Sequence, residues 1–275
     1  MCARSLRRAA ESRIMTELDL KELLDFAVDL ARGAGEITYH YFRNPPPAEL
    51  KADGSFVTAA DREAESFLRA HFLERLPDDS IFGEEEGERA GASNRRWIID
   101  PIDGTYAFVH GVPIYGVLIG LEIDGEPSAG VINLPALSEI VYAARGLGCF
   151  YNGERARVSE VTSLKDALLL STDFGLCERY GFGAAAAELQ ARAHSRRTWG
   201  DCYGHALVAT GRADVMLDPV MNLWDCAALM PIIEEAGGRF TDWRGRRTID
   251  GGNAVSTNGA LFDEVFEVIN RTSKG

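Results

Sequence analysis

The hydrophobic rhythm of the 275-residue chain changes near residue 160, and that change restricts it to a mixed α/β architecture. Two helix-period stretches come first. Over residues 18–42, Leu20, Leu23, Leu24, Ala27, Leu30, Ala31, Ala34 and Ile37 fall close to one stripe. Gly33 and Gly35 weaken this helix, and the Pro45-Pro46-Pro47 run ends it. Over 60–76, Ala64, Phe67, Leu68 and Phe72 face inward, with Pro77 as the stop. Short apolar runs at 80–83 and 96–100 have strand character. Residues 114–158 read as an antiparallel meander with turns at Asp124-Gly125 and Asn152-Gly153.

Beyond 160, strands at 167–171, 213–217, 238–242 and 254–257 alternate with helices at 183–194, 202–210, 223–236 and 261–269. Pro231 predicts a kink in the helix over 223–236, and Gly237-Gly238 predicts its end. The pattern predicts one lobe over 15–160 and another over 161–275, joined without a flexible linker. Residues 1–14 are expected to form a disordered extension, and Met15 offers a second start.

Lys and Arg number 29 against 42 Asp and Glu, a net charge of −13. Such a chain repels phosphate backbones and anionic lipid, which argues against a nucleic-acid or membrane-surface partner. No apolar run is long enough to span a bilayer; the best, 112–123, is short and contains Glu122. The five cysteines (2, 149, 177, 202 and 226) are odd in number, widely spaced and without a CxxC pair, so a reducing, cytoplasmic setting is expected.

The densest chemical signal is Trp97-Ile98-Ile99-Asp100-Pro101-Ile102-Asp103-Gly104-Thr105. A buried strand ends in two carboxylates separated by a proline. Pro101 biases its neighbours towards extended backbone, and Gly104 allows a sharp turn. Hard cations such as Mg²⁺ take oxygen ligands of this kind. A simple Asp-Pro, Asp-Gly turn explains the run equally well. Glu84-Glu85-Glu86 taken alone is a solvated acidic loop. Asp225 taken alone is a first-turn acid at a helix start, and Asp61 is another.

Taken in order, these segments carry more. Gly83-Glu84-Glu85, then Asp100-Pro101-Ile102-Asp103-Gly104-Thr105, then Trp224-Asp225-Cys226-Ala227-Ala228 before a helix ending in Glu235-Ala236-Gly237-Gly238 resemble the inositol monophosphatase-like family of Mg²⁺-dependent phosphatases. The resemblance spans about 18–270. It implies a five-layered αβαβα sandwich, a homodimer, a small phosphorylated substrate and two or three Mg²⁺ ions per site, with Mn²⁺ as a substitute. It assigns Glu84, Asp100 and the Ile102 carbonyl to metal one, and Asp100, Asp103 and Asp225 to metal two. Asp61 and Thr105 would orient and deprotonate the attacking water, with Glu84 counted among the catalytic groups. Asp103, Gly104 and Thr105 would hold the phosphate, and Glu85 would stand behind the ligands or at a weak third ion. Bound cations are what would let an anionic ester enter such a nest of carboxylates. With water as nucleophile, no cysteine, serine or histidine need form a covalent bond.

The turn Trp199-Gly200-Asp201-Cys202-Tyr203, with Asp218 seven positions before Asp225, is similar to the histidinol-phosphate phosphatase branch. This implies hydrolysis of L-histidinol phosphate, with Gly200, Asp201, Cys202 and Asp218 lining the substrate site and the two acids pairing with ammonium and imidazole. Asp201 also fits an N-cap of the helix over 202–210. The alternatives are an inositol, sugar or nucleotide phosphatase and, from another class, an inactive binding module on the same fold. Ala107 stands where relatives carry a polar residue. His40, His71, His110, His194 and His205 show no ligand spacing, and Cys202 and Cys226 read as small buried hydrophobes.

Overall fold

Trp97, Ile98 and Ile99 follow one another along a strand, so their side chains alternate between two apolar layers. Trp97 and Ile99 pack with one core, Ile98 with another, and all three are fully buried. That alternation organises the computed structural model, which describes residues 17–45, 47–50 and 56–272. The extension over 1–14 lies outside the described residues.

The first layer is a helix pair, α1 (Glu17–Arg43) and α2 (Ala59–Arg75). α1 runs through Gly33 and Gly35 because these positions lie close against Phe67 and Asn133. A short pair, β1 (Glu49–Leu50) and β2 (Phe56–Val57), connects the helices. The second layer is an eight-stranded sheet of β3 (Ser80–Gly83), β4 (Gly87–Arg89), β5 (Arg95–Asp103), β6 (Gly116–Ile123), β7 (Glu126–Leu134), β8 (Glu139–Ala144), β9 (Gly148–Tyr151) and β10 (Glu154–Ala156). Its order is β10-β9-β8-β7-β6-β5-β3-β4. The meander expected over 114–158 is β6 to β10. Its two Xaa-Gly turns have positive φ at Asp124 (55°), Gly125 (77°), Asn152 (50°) and Gly153 (89°), as type I′ hairpins require. β3 departs from antiparallel pairing and lies parallel to β5.

A five-stranded sheet follows, of β11 (Leu168–Ser171), β12 (Ser195–Arg197), β13 (Val215–Asp218), β14 (Arg239–Thr241) and β15 (Ala254–Thr257), in the order β12-β11-β13-β15-β14. A five-residue helix α3 (Thr105–Val109) leaves the end of β5. α4 (Phe174–Arg179), α5 (Gly183–Arg192) and a terminal helix cover the outer face of the second sheet, where Leu169, Val215 and Val255 meet Leu189, Val265 and Ile269. Between the sheets lie α6 (Asp201–Ala209), α7 (Leu223–Ala227) and α8 (Leu229–Glu235), and the terminal helix is α9 (Phe262–Thr272). The layers therefore run α, β, α, β, α.

The helix expected over 223–236 is two helices. Pro231 has no N–H for the Ala227 carbonyl four residues back, and the chain breaks at Ala228. The helix expected over 202–210 starts one residue earlier, at Asp201, with Gly200 in the cap position. α3, α4 and β12 are too short for periodicity to have marked them.

Candidate active site

Period-two alternation aims acids from both sheets at the middle layer. Asp100 has the parity of Ile98, which packs in the central core with Cys202, Ala206 and Met230. Across the gap, Met216 of β13 joins the same core while Val215 and Leu217 face outward, so Asp218 points inward like Met216.

At the end of β5 the ladder slips by one residue. Asp100 lies opposite Leu118 but Asp103 opposite Gly116, with Pro101 unable to donate in between. The Ile102 N–H turns instead to Asp100 Oδ1 at 2.9 Å, and Thr105 Oγ1 donates to the Ile102 carbonyl at 2.9 Å. Gly104 has φ 81°, a left-handed conformation that costs glycine nothing, and a side chain here would approach Asp201 Oδ2 to 3.1 Å. α7 contributes Asp225, whose Oδ2 accepts from the Asn222 N–H at 2.6 Å in a capping box. Trp224 beside it packs on Phe82 of β3 with ring centroids 5.8 Å apart. Asp100, Asp103 and Asp225 thereby bring carboxylate oxygens within 4.8 Å of one another, a spacing at which they could hold a metal ion. Glu84 is outside that trio, yet its charge raises the pKa of Asp61, Asp100 and Asp225.

α6 starts against the same cluster. The Cys202 N–H donates to Asp103 Oδ2 at 2.5 Å, and the Asp201 N–H donates to Thr172 Oγ1 at 2.8 Å, so two open amides of the helix start are satisfied by the site. Gly200 permits this, since a Cβ there would lie 2.3 Å from Thr172 Cα. Gly200, and not Asp201, takes the N-cap position of α6, and Asp201 follows it with φ 52°, which corrects the N-cap reading. A cavity of about 190 Å³ includes Asp103, Thr172, Asp201, Asp218, Met221 and Asp225 in its lining. A larger hollow of about 500 Å³ beside Arg32, Tyr39 and Glu139 shares no residue with it.

The carboxyl groups crowd one another. Burial, then Glu84 and Asp103, hold Asp100 well above the usual range. Burial and Asp225 push Asp103 to about 7 against the opposing Cys202 bond. Burial pushes Asp225 to about 7 against the Asn222 bond. Burial, Asp103 and Asp218 raise Asp201 strongly. Asp61 stands at the start of α2. Its Oδ2 accepts from the Thr58 N–H and hydroxyl, both at 2.7 Å, while Oδ1 is buried without a partner. Burial lifts it to about 6 despite the Thr58 bonds. Among the described residues, no Lys or Arg forms an ion pair with Asp61, Asp100, Asp103, Asp201, Asp218 or Asp225. An all-oxygen donor set, an orphaned buried oxygen and no local cation fit divalent metal ions, whose charge reverses these shifts.

Two residues beyond the motifs shape the site. Glu65 is fully buried in α2, pairs with Arg69 at 2.8 Å and accepts the Glu85 and Glu86 N–H groups, each at 2.9 Å. It pins the loop that carries Glu84. Its position between the inward-facing Ala64 and Leu68 of the 60–76 helix is the one mark the sequence offers. His205 is fully buried between Asp218 and Ser256, a place that its spacing from other ligand types in the sequence does not signal.

The family model described as the inositol monophosphatase family matches residues 19–272. The chain belongs to the inositol monophosphatase family. It is 46% identical to the histidinol-phosphatase of Chlorobaculum parvum over 90% of this chain and 96% of that protein. It is 40% identical to the histidinol-phosphatase of Mycobacterium tuberculosis over 81% of this chain and 87% of that protein. Among solved structures, the Thermotoga maritima IMPase superposes with a TM-score of 0.83 at 34% identity, covering 92% of this chain and 98% of the other. The five-layered sandwich is thus the family fold, and the protein is a phosphoric monoester hydrolase.

Proposed function

We propose that the protein hydrolyses L-histidinol phosphate to L-histidinol and phosphate, using Mg²⁺ or Mn²⁺ held by the acidic cluster. The cavity wall carries this reading: Asp201 and Asp218, which form no Lys or Arg ion pair among the described residues, stand beside Asp103 and Asp225. An alcohol bearing an ammonium group supplies the missing positive charge, whereas inositol offers hydroxyls only. The histidinol-phosphatases among the relatives support the same choice.

Glu84, Asp100, the Ile102 carbonyl, Asp103 and Asp225 are the groups that would hold two ions, with Glu85 near a third. Bound divalent ions supply the charge that admits a phosphate dianion and lower the pKa of water. The remaining steps fall to the chain. Among the described residues no side chain caps α3, and the Gly104 and Thr105 amides at its start would take the phosphate oxygens. Asp61, with its unpartnered Oδ1, and the Thr105 hydroxyl hold a water for attack, and Asp61 takes its proton. The water oxygen bonds to phosphorus and the ester P–O bond breaks; the leaving alkoxide takes a proton from solvent water to become histidinol, and Asp61 returns its proton to solvent. The reading includes a cytoplasmic homodimer in which Cys149, Cys177, Cys202 and Cys226, all buried, stay free thiols.

The IMPase of solved structure favours a second reading, hydrolysis of a neutral polyol phosphate. Phosphate release from histidinol phosphate and inositol phosphate, each with Mg²⁺ and with EDTA, separates them. The expected result is a clear preference for histidinol phosphate and no turnover in EDTA. Equal rates on both esters would sink the substrate assignment; full activity in EDTA would sink the metal.

A further inference from the structure

Among the described residues, His205 forms no hydrogen bond with any of the proposed metal ligands, yet it is the only histidine that is fully buried. It projects from α6, four residues after Asp201. One ring nitrogen, Nδ1, lies 2.7 Å from Ser256 Oγ, and the other, Nε2, lies 3.0 Å from Asp218 Oδ2. Ser256 is also fully buried and pairs with Met216 across β13 and β15, two residues before Asp218 on that strand. An ionised Asp218 only accepts, so Nε2 carries the proton towards it and Nδ1 accepts from the Ser256 hydroxyl. Each group in the chain from Ser256 through His205 to Asp218 then has a partner.

The chain ends at the cavity. Asp218 Oδ1 is left with one long bond, 3.4 Å, from the Thr172 N–H, while the Thr172 hydroxyl accepts from the Asp201 N–H. Thr172 and Asp218 stand at the ends of the parallel neighbours β11 and β13, where Ser171 pairs with Leu217. With one oxygen tied to His205 from behind, the carboxylate cannot rotate freely, and its other oxygen is held at the cavity between Thr172 and Asp201. The Trp243 Nε1–H to Asp218 carbonyl bond of 2.9 Å fixes the backbone at the same residue.

We propose that His205 is a positioning residue for substrate selection: backed by Ser256, it fixes the Asp218 carboxylate so that the cavity prefers phosphate monoesters whose alcohol carries a cation. This rests on the histidinol-phosphate reading. It assigns His205 no proton transfer and no metal.

The test compares wild type, His205→Phe, His205→Gln and Ser256→Ala on histidinol phosphate and glycerol phosphate at saturating Mg²⁺. Phenylalanine fills the ring volume but leaves Asp218 and Ser256 without their bonds, whereas glutamine keeps a donor amide. In His205→Phe, KM for histidinol phosphate should rise roughly 10-fold, with kcat falling less than about threefold. The ratio of kcat/KM between the two esters should fall by the same factor, and His205→Gln should recover most of it. A kcat loss shared by both esters, or no recovery in His205→Gln, would show that His205 serves packing alone. If His205→Phe does not fold, Ser256→Ala decides: a rise in KM confined to histidinol phosphate supports the relay, and an unchanged ratio overturns it. A wild-type enzyme with no preference between the esters would instead sink the substrate reading and the relay with it, so the two failures are distinguishable.

Discussion

Asp225→Asn should make the metal-free protein more stable while removing its activity. Asp225 has a pKa of about 7 in the folded chain against 3.8 for an ordinary aspartate, because burial and Glu84 disfavour its charge. A folded pKa above the unfolded one means that the ionised group destabilises the fold. The penalty is absent below the unfolded value, grows as pH rises from about 4 to about 7, and is complete above that. Its ceiling is about 4 kcal/mol. Sharing among neighbouring carboxylates and partial solvent access reduce the observable part to about 1–3 kcal/mol. Asparagine can still accept the Asn222 N–H through Oδ1, so the capping bond of 2.6 Å need not be lost with the charge. For a chain of this size the gain is about 2–10 °C in Tm. The assay is thermal unfolding in EDTA from pH 5 to 8.5, repeated with Mg²⁺. The variant should melt higher than wild type at pH 8, nearer to it at pH 5, and gain less from Mg²⁺. A lower Tm at pH 8, or a difference that does not vary with pH, would refute the electrostatic account of the cluster.

Other outcomes follow from the same geometry. Asp100→Asn should abolish phosphate release while the fold survives in far-UV circular dichroism, since Asp100 stands within reach of both Asp103 and Asp225; near-normal turnover would refute a bridging role. Asp201→Asn tolerates φ 52° and should cut kcat/KM for histidinol phosphate by roughly 10- to 150-fold, with little effect on glycerol phosphate. If both esters fall together, the Asp201 charge serves the cluster and not the alcohol. Glu65→Gln should raise the Mg²⁺ concentration for half-maximal activity by roughly 10-fold, because the Glu85 and Glu86 amides lose a charged anchor. A Mn²⁺ titration by calorimetry would report the same change without turnover, and an unaltered affinity would free Glu65 of that role.

Much of this protein was determined locally and was legible residue by residue. Alternating apolar residues around Trp97 to Ile99 dictate a doubly buried strand, and Asp100-Pro101-Ile102-Asp103-Gly104 dictates where that strand must slip and turn. Asp124-Gly125 and Asn152-Gly153 dictate hairpins through their ease at positive φ. Asp225 caps its helix, as first-turn acids do, and also lends a carboxylate to the acidic cluster, while Asp61 caps α2 and acts on Asp100 through its charge, so a capping role does not exclude a second one. Tertiary structure decided which distant groups meet. His205 reaches Asp218 13 residues away and Ser256 51 residues away only because β13 lies beside β15 and both face the layer that α6 occupies. Glu65 meets the Glu85 amide 20 residues on only because α2 packs over β3 and β5. Periodicity reports which face of an element is buried, since that depends on neighbours a few residues away. It does not report what lies against that face, since sheet order and layer packing settle that after distant strands have paired.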